Sequence, residues 1–102
     1  MRKINKIKQT IEGQKKYLKG KYKIKEIGVF GSYVRGKQSE TSDLDILVDF
    51  DDVPSLFELV ELEDELSELL GVKVDIVMRS GLKPRIGAQI LKEVVLIWRK
   101  GT

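Results

Sequence analysis

The chain has 102 residues, and its composition is that of one folded, soluble domain. Hydrophobic residues make up 41% and charged residues 34%, a balance that excludes disordered, collagen-like and membrane-embedded chains. Because the sequence contains no cysteine and no histidine, disulfides, thiolate or imidazole metal sites and catalytic triads are excluded. No apolar run approaches the roughly 20 residues of a membrane span, and the N-terminus lacks the apolar segment of a secretion signal, so we expect a cytoplasmic protein.

The charge is distributed unevenly along the chain. Residues 1–25 contain ten Lys or Arg and one acid, Glu12, for a local charge of +9, whereas the rest, with nine basic and fifteen acidic residues, carries −6. The same segment has a helical stripe of apolar residues, which predicts an amphipathic helix over residues 2–18 that ends at Gly20. Gly13 costs about 1 kcal/mol relative to Ala inside a helix, so we expect a weak point there. The apolar stripe consists of Ile4, Ile7, Ile11 and Leu18.

Strands and helices alternate through the remainder of the chain. Four hydrophobic runs predict strands, and the polar segment 31–42 between the first two predicts a loop with one helical turn. A capping-box pair, Ser55 and Glu58, opens a leucine-rich helix that extends to Leu70, and a further helix is expected over Leu82–Lys92. The predicted strands are Ile24–Phe30, Leu44–Phe50, Val72–Met78 and Val94–Trp98.

This order of elements predicts an α+β fold, with a single mixed sheet of about four strands and helices packed on it. We expect one domain over residues 1–102. Within it, the basic helix occupies residues 1–20 and the functional core occupies residues 24–98.

Two acidic positions stand at the start of the second strand. Asp43 and Asp45 are two residues apart, so both project to one side of the strand while Leu44 and Ile46 project to the other. Asp75 lies within the third strand, and aspartate is depleted in strands. If the two strands are neighbours, the three carboxylates meet and repel by roughly 4 kcal/mol per pair at 4 Å and an effective dielectric near 20. A divalent cation would relieve this repulsion, and ligands that are all oxygen favour Mg²⁺ or Mn²⁺.

Simpler explanations remain open for each of these acids. The Ser42-Asp43 pair could belong to an ordinary turn before a strand, and Asp75 could form an ion pair with Lys73 or Arg79. The neighbouring Asp49, Asp51 and Asp52 are interpreted as a solvated turn rather than as metal ligands.

A small, polar motif precedes the acids. Gly31-Ser32 directly follows the first predicted strand and leads into a possible helical turn that ends at Gly36. Glycine permits close approach of the backbone to a ligand, amides at the start of a helix bind anions, and the Ser32 hydroxyl adds a donor. Taken alone, the pair is also typical of an ordinary turn in which Ser32 is the helix cap.

Together these motifs resemble a known family. The pattern is similar to that of the nucleotidyltransferases of the DNA polymerase β superfamily. It consists of Gly31-Ser32-Tyr33-Val34-Arg35-Gly36, then Asp43-Leu44-Asp45 after ten residues from Ser32, and Asp75 one strand later. The closest resemblance is to the minimal, MNT-type group found as antitoxins beside HEPN-domain toxins. It covers residues 24–98, about three quarters of the chain, and implies a polymerase β-like fold.

The resemblance also implies a mechanism. Gly31 and Ser32 would hold the triphosphate of ATP, and Arg35 would either neutralise its charge or pair with an aspartate. Asp43, Asp45 and Asp75 would ligate two Mg²⁺ ions, with Mn²⁺ as a possible substitute. These ions clamp the attacking and leaving oxygens at the α-phosphate.

In such a reaction AMP is transferred to a hydroxyl on a partner protein, a HEPN-domain RNase, with which the chain would form a hetero-oligomer. Two other functions remain open: a non-catalytic antitoxin that masks its partner by contact, and a small nucleic-acid-binding protein led by the basic helix. The last is disfavoured because the basic segment from Arg2 to Lys25 offers only Tyr17 and Tyr22 for stacking and no binding motif. The helix could instead dock the partner or simply be solvated.

Overall fold

A four-stranded sheet organises the chain, and the computed structural model describes residues 3–39 and 41–100. The sheet order is β3-β2-β1-β4, with β1 antiparallel to both β2 and β4, and β2 parallel to β3. The sheet is therefore mixed and has four strands, which confirms the predicted α+β fold. The strands are β1 (Ile24–Phe30), β2 (Leu44–Phe50), β3 (Val74–Met78) and β4 (Val95–Arg99).

Five α-helices and one short 3₁₀ turn (Arg79–Gly81) connect the strands within the described residues. The prediction of a single N-terminal helix is wrong, because the chain breaks at Gly13 and Gln14 and forms two helices; the predicted first residue, Arg2, lies outside the described part. Glycine at the break has the lowest helix propensity after proline, so the chain turns where the helix is weakest. The helices are α1 (Lys3–Glu12), α2 (Lys15–Tyr22), α3 (Ser32–Arg35), α4 (Leu56–Leu70) and α5 (Pro84–Glu93).

The hydrophobic core lies between one face of the sheet and helices α1, α2 and α4. Alternate residues of the central strand β2 point into it, since Leu44, Ile46 and Val48 are fully buried. The acidic residues Asp45 and Asp75 lie on the opposite face of the sheet, where they alternate along the chain with the apolar residues of β2 and β3. From the helices, the buried contributors are Ile7, Ile11, Leu18, Tyr22, Leu62 and Leu66.

Helix α4 is the crossover between the parallel strands β2 and β3. Its start is the predicted capping box: the Ser55 hydroxyl accepts from the Glu58 amide at 3.2 Å, and the Glu58 carboxylate accepts from the Ser55 amide at 3.0 Å. Only part of its leucine stripe is buried: Leu62 and Leu66 are fully buried, whereas Leu56 and Phe57 in the first turn are exposed, Phe57 at 89%. Across residues 3–39 and 41–100, no helix is both long and apolar enough to cross a membrane.

Removing the Ser55 hydroxyl tests how much this cap stabilises the domain. We expect Ser55→Ala to lower the free energy of unfolding by about 1 kcal/mol, since the Glu58 amide loses its acceptor. For a domain of this size that corresponds to a fall of about 4–8 °C in Tm, measurable by circular dichroism. Ser80→Ala, at an exposed position of the 3₁₀ turn, is the matched control and should leave Tm unchanged.

Candidate active site

The Gly31-Ser32 motif forms a tight turn between β1 and β2. Gly31 follows the last residue of β1 and has φ +85° and ψ −154°, a backbone conformation that residues with a Cβ rarely adopt. The carbonyl of Gly31 accepts from the amides of Val34 and Arg35, at 3.0 and 3.2 Å, which makes the single helical turn α3. Gly36 then ends the turn in the left-handed conformation.

Gly31 lies directly against the carboxylate of Asp45. Phe30, the preceding residue, is the antiparallel partner of Asp45 across the β1–β2 pair. A Cβ placed on Gly31 would collide with Asp45 Oδ2 and would stand 3.1 Å from Cγ. The motif glycine therefore serves close packing: it lets the turn touch the acidic strand.

Strand pairing sets two of the acids side by side. In the parallel register of β2 and β3, Asp45 is opposite Asp75, while Asp43 is one residue before the start of β2. Asp43 and Asp75 are exposed and Asp45 is half-buried. Within residues 3–39 and 41–100, no three acidic side chains are close enough together to hold a metal ion.

Of the simpler explanations for these acids, the turn at Ser42 is present and the ion pairs of Asp75 are absent from the described residues. Ser42 does form a turn, because its hydroxyl accepts from the Ser39 amide at 2.8 Å. The alternative ion pairs of Asp75 do not form: Lys73 approaches Asp43 at 4.0 Å, and Arg79 binds Glu26 at 2.9 Å. Asp75 therefore has no cationic partner in the described chain.

The electrostatic environment of Asp45 is unfavourable for a negative charge. Partial burial raises the pKa of its carboxyl group above the ordinary value, and the charges of Asp75 and Asp43 raise it further. Arg35 acts in the opposite direction but does not cancel these effects. A cation beside Asp45 would remove the repulsion, so a set of donors that are all carboxylate oxygens fits a divalent metal of the Mg²⁺ type.

A fourth acid, Glu93, was not found from the sequence. It is the last residue of α5, and its carboxylate accepts from the Gly31 amide at 3.0 Å and from Arg35 Nη1 at 2.8 Å. Arg35 thus forms an ion pair with a glutamate rather than with an aspartate. The one sequence signal was an acid in the last turn of a helix, where cations are preferred.

These residues surround an open cleft of about 240 Å³ between α5 and the turn. A second and larger surface cavity, about 630 Å³, adjoins Ser42 and Asp43. Asp45 therefore lines the smaller cleft, and Asp43 lines the larger cavity. That cleft is lined by Phe30, Gly31, Arg35, Asp45, Ile86, Gln89, Ile90 and Glu93.

The turn lies against carboxylates at the end of the sheet, an arrangement expected of a nucleotidyltransferase. A family model described as the nucleotidyltransferase domain matches residues 11–97. The chain belongs to this family and is a nucleotidyltransferase. The resemblance to the minimal group, inferred from the sequence motifs, is confirmed by its relatives.

Three relatives define that likeness. The protein adenylyltransferase MntA of Thermococcus cleftensis is 49% identical over 94 residues, which cover 92% of this chain and 95% of that protein. A solved structure provisionally assigned as a minimal nucleotidyltransferase has a TM-score of 0.72 at 38% identity, over 85% of this chain and 89% of the other. A chain from a toxin–antitoxin structure with AMP-PNP has a TM-score of 0.73 at 27% identity, over 88% of this chain and 74% of the other.

Neutralising Asp45 should stabilise the metal-free protein. The raised pKa means that the ionised carboxylate destabilises the fold at neutral pH, and this cost disappears when the pH falls below about 4. Allowing for screening at a half-exposed site, we expect Asp45→Asn to raise stability by about 1 kcal/mol or less, a few degrees in Tm at pH 7. The control is Asp52→Asn, in the exposed turn after β2, which should have no effect; a lower Tm for Asp45→Asn would contradict the assignment.

The contact between Gly31 and Asp45 can be tested by a double substitution. Gly31→Ala introduces both an unfavourable φ and a collision with the Asp45 carboxylate, so we expect a loss of about 1–3 kcal/mol. Adding Asp45→Ala removes the collision but not the backbone strain, and should restore part of the loss. Urea unfolding of the four proteins measures the coupling, and purely additive effects would argue against the contact.

Proposed function

We propose that the chain transfers AMP from ATP to a hydroxyl group on a partner protein, and that it is the antitoxin of a HEPN-domain RNase. The observation that carries the chemistry is the register that sets Asp45 beside Asp75, next to the Gly31 turn. The 49% identity with a protein adenylyltransferase supports a protein acceptor, and the likeness to a toxin–antitoxin chain solved with AMP-PNP supports both an adenine nucleotide and a toxin partner.

Each site residue has a proposed role. Asp43, Asp45 and Asp75 hold two Mg²⁺ ions, for which Mn²⁺ can substitute, and Gly31 and Ser32 form the turn that receives the triphosphate. When bound, such ions neutralise phosphate charge and favour ionisation of the attacking hydroxyl. Arg35 adds positive charge beside the phosphates through the guanidinium nitrogens that Glu93 does not occupy.

The reaction itself is a displacement at phosphorus. The acceptor hydroxyl loses its proton to solvent, its oxygen forms a bond to the α-phosphorus, the bond from that phosphorus to the oxygen bridging to the β-phosphate breaks, and pyrophosphate leaves. The turn orients the nucleotide beside Asp45. No imidazole base is required, in agreement with a sequence that has no histidine.

The open geometry of the site supports a macromolecular acceptor. Asp43 and Asp75 are exposed, so a hydroxyl on the surface of a folded protein can approach them from solvent. Such a partner would make the working species a cytoplasmic hetero-oligomer. The basic helices α1 and α2 bury their apolar stripe in the core and leave their lysines on the surface, which makes them a candidate docking face.

The function is tested by co-expressing the chain with a candidate HEPN-domain partner and measuring the mass of that partner. We expect AMP on the partner with the natural chain, and a rate at least about a hundredfold lower with Asp45→Asn or Asp75→Asn, because each removes a metal ligand. Asp52→Asn is the charge-matched control and should retain full activity.

Two other results would overturn the proposal. An unmodified partner that is nevertheless silenced equally by the natural chain and by both variants would favour masking by contact. Affinity for RNA or DNA that falls steeply with salt and ignores the aspartate substitutions would favour a nucleic-acid-binding protein.

A further inference from the structure

Glu93 ties the last turn of α5 to the Gly31 turn. Its Oε1 accepts from the Gly31 amide at 3.0 Å and from Arg35 Nη1 at 2.8 Å, and its Oε2 accepts from the same Nη1 at 2.8 Å. The side chain is only 25% exposed. These contacts join parts of the chain that are about sixty residues apart, so they fix tertiary geometry rather than a local turn.

The position of Glu93 is locally unfavourable. It is in the last turn of a helix, where the carbonyl ends of the dipole disfavour an anion by about 0.3–1 kcal/mol. Its charge also acts on Asp45, whose pKa it helps to raise. Among residues 3–39 and 41–100, the polar contacts that offset these costs are those to Gly31 and Arg35, which points to a role at the turn.

All the hydrogen-bonding groups of Gly31 are already used by the protein. Its amide donates to Glu93, and its carbonyl accepts from the amides of Val34 and Arg35. The adjacent Ser32 hydroxyl, by contrast, has no partner among the described residues. Phosphate binding by the Gly31 amide, as the motif alone suggests, would thus require breaking a bond, whereas the Ser32 hydroxyl is an available donor.

Glu93 also controls where Arg35 points. Arg35 is near enough to Asp45 to lower its pKa, and its Nη1 is held by both oxygens of Glu93. Without Glu93, the Arg35 guanidinium would be free to pair with Asp45 or Asp75, the carboxylates proposed to bind the metal. A cation on Asp45 of this kind would compete directly with the divalent ion.

We propose that Glu93 is a positioning residue for nucleotidyl transfer: it holds the Gly31 turn in its positive-φ conformation and keeps Arg35 away from the acidic pair. This inference rests on the proposed function, because it concerns the binding of metal and nucleotide at the same cleft. It also makes α5 part of the site, since Glu93 is attached to the helix that forms the wall of the cleft.

The first test needs no nucleotide. We expect the Gly31 amide of the full chain to exchange its hydrogen with solvent at least about tenfold faster in Glu93→Ala, as measured by NMR, because the amide loses its acceptor. Glu93→Gln keeps an acceptor oxygen and should lie between the two. Asp64→Asn, on the exposed face of α4, removes the same charge elsewhere and should leave the exchange unchanged.

The second test measures the dissociation constant of a non-hydrolysable ATP analogue with Mg²⁺ by titration calorimetry. We expect about tenfold weaker binding for Glu93→Ala and a smaller loss for Glu93→Gln, with Tm within a few degrees of the natural chain. A merely structural role would lower Tm and leave the affinity of the folded protein intact.

The outcomes separate the two proposals. If the natural chain binds the analogue and Glu93→Ala binds it equally well, or if Gly31 exchange does not change, the role of Glu93 is overturned. If the natural chain itself binds no nucleotide with Mg²⁺, the proposed function is overturned, and the positioning role in transfer is overturned with it.

Discussion

The parallel pairing of β2 with β3 is the constraint on which the site depends. It sets Asp45 opposite Asp75, two like charges on the same face of adjacent strands, in a register that hydrophobic burial enforces on the other face. A slip of one residue would turn Leu44 and Ile46 to solvent and the acids into the core, so the register cannot relax to separate the charges. The core thus holds together two carboxylates that repel each other.

Much of this could be read from the sequence because period-two alternation and capping chemistry are local signals. The alternation of Asp43 and Asp45 with core residues, and the Ser55–Glu58 pair, depend on neighbours a few positions away. The strand order was not accessible in this way, since nothing local decides that β2 rather than β1 pairs with β3. The sequence therefore predicted a shared acidic face only on the condition that the two strands are neighbours.

Two features escaped prediction for identifiable reasons. The N-terminal helix breaks at Gly13 and Gln14, and each of the two resulting helices buries apolar residues in the core, whereas helix propensity alone indicated only a weak point. Glu93 was missed because its partners, Gly31 and Arg35, are remote in sequence, and an isolated glutamate near a helix end carries no motif. Long-range polar contacts of this kind require the tertiary structure.

Three locally unfavourable features lie together at one end of the sheet. Gly31 adopts a positive φ, the environment of Asp45 disfavours its negative charge, and Glu93 opposes the dipole of its helix, while α4 has a complete N-cap and β2 a fully apolar inner face. Folded chains concentrate such conflicts where a ligand resolves them. A divalent cation would relieve the repulsion around the Asp45 carboxylate, and the polyphosphate bound with it would balance the charge of the cation. A metal-bound nucleotide would therefore offset the largest of these unfavourable features, and the Gly31 turn lies beside the place where it would bind.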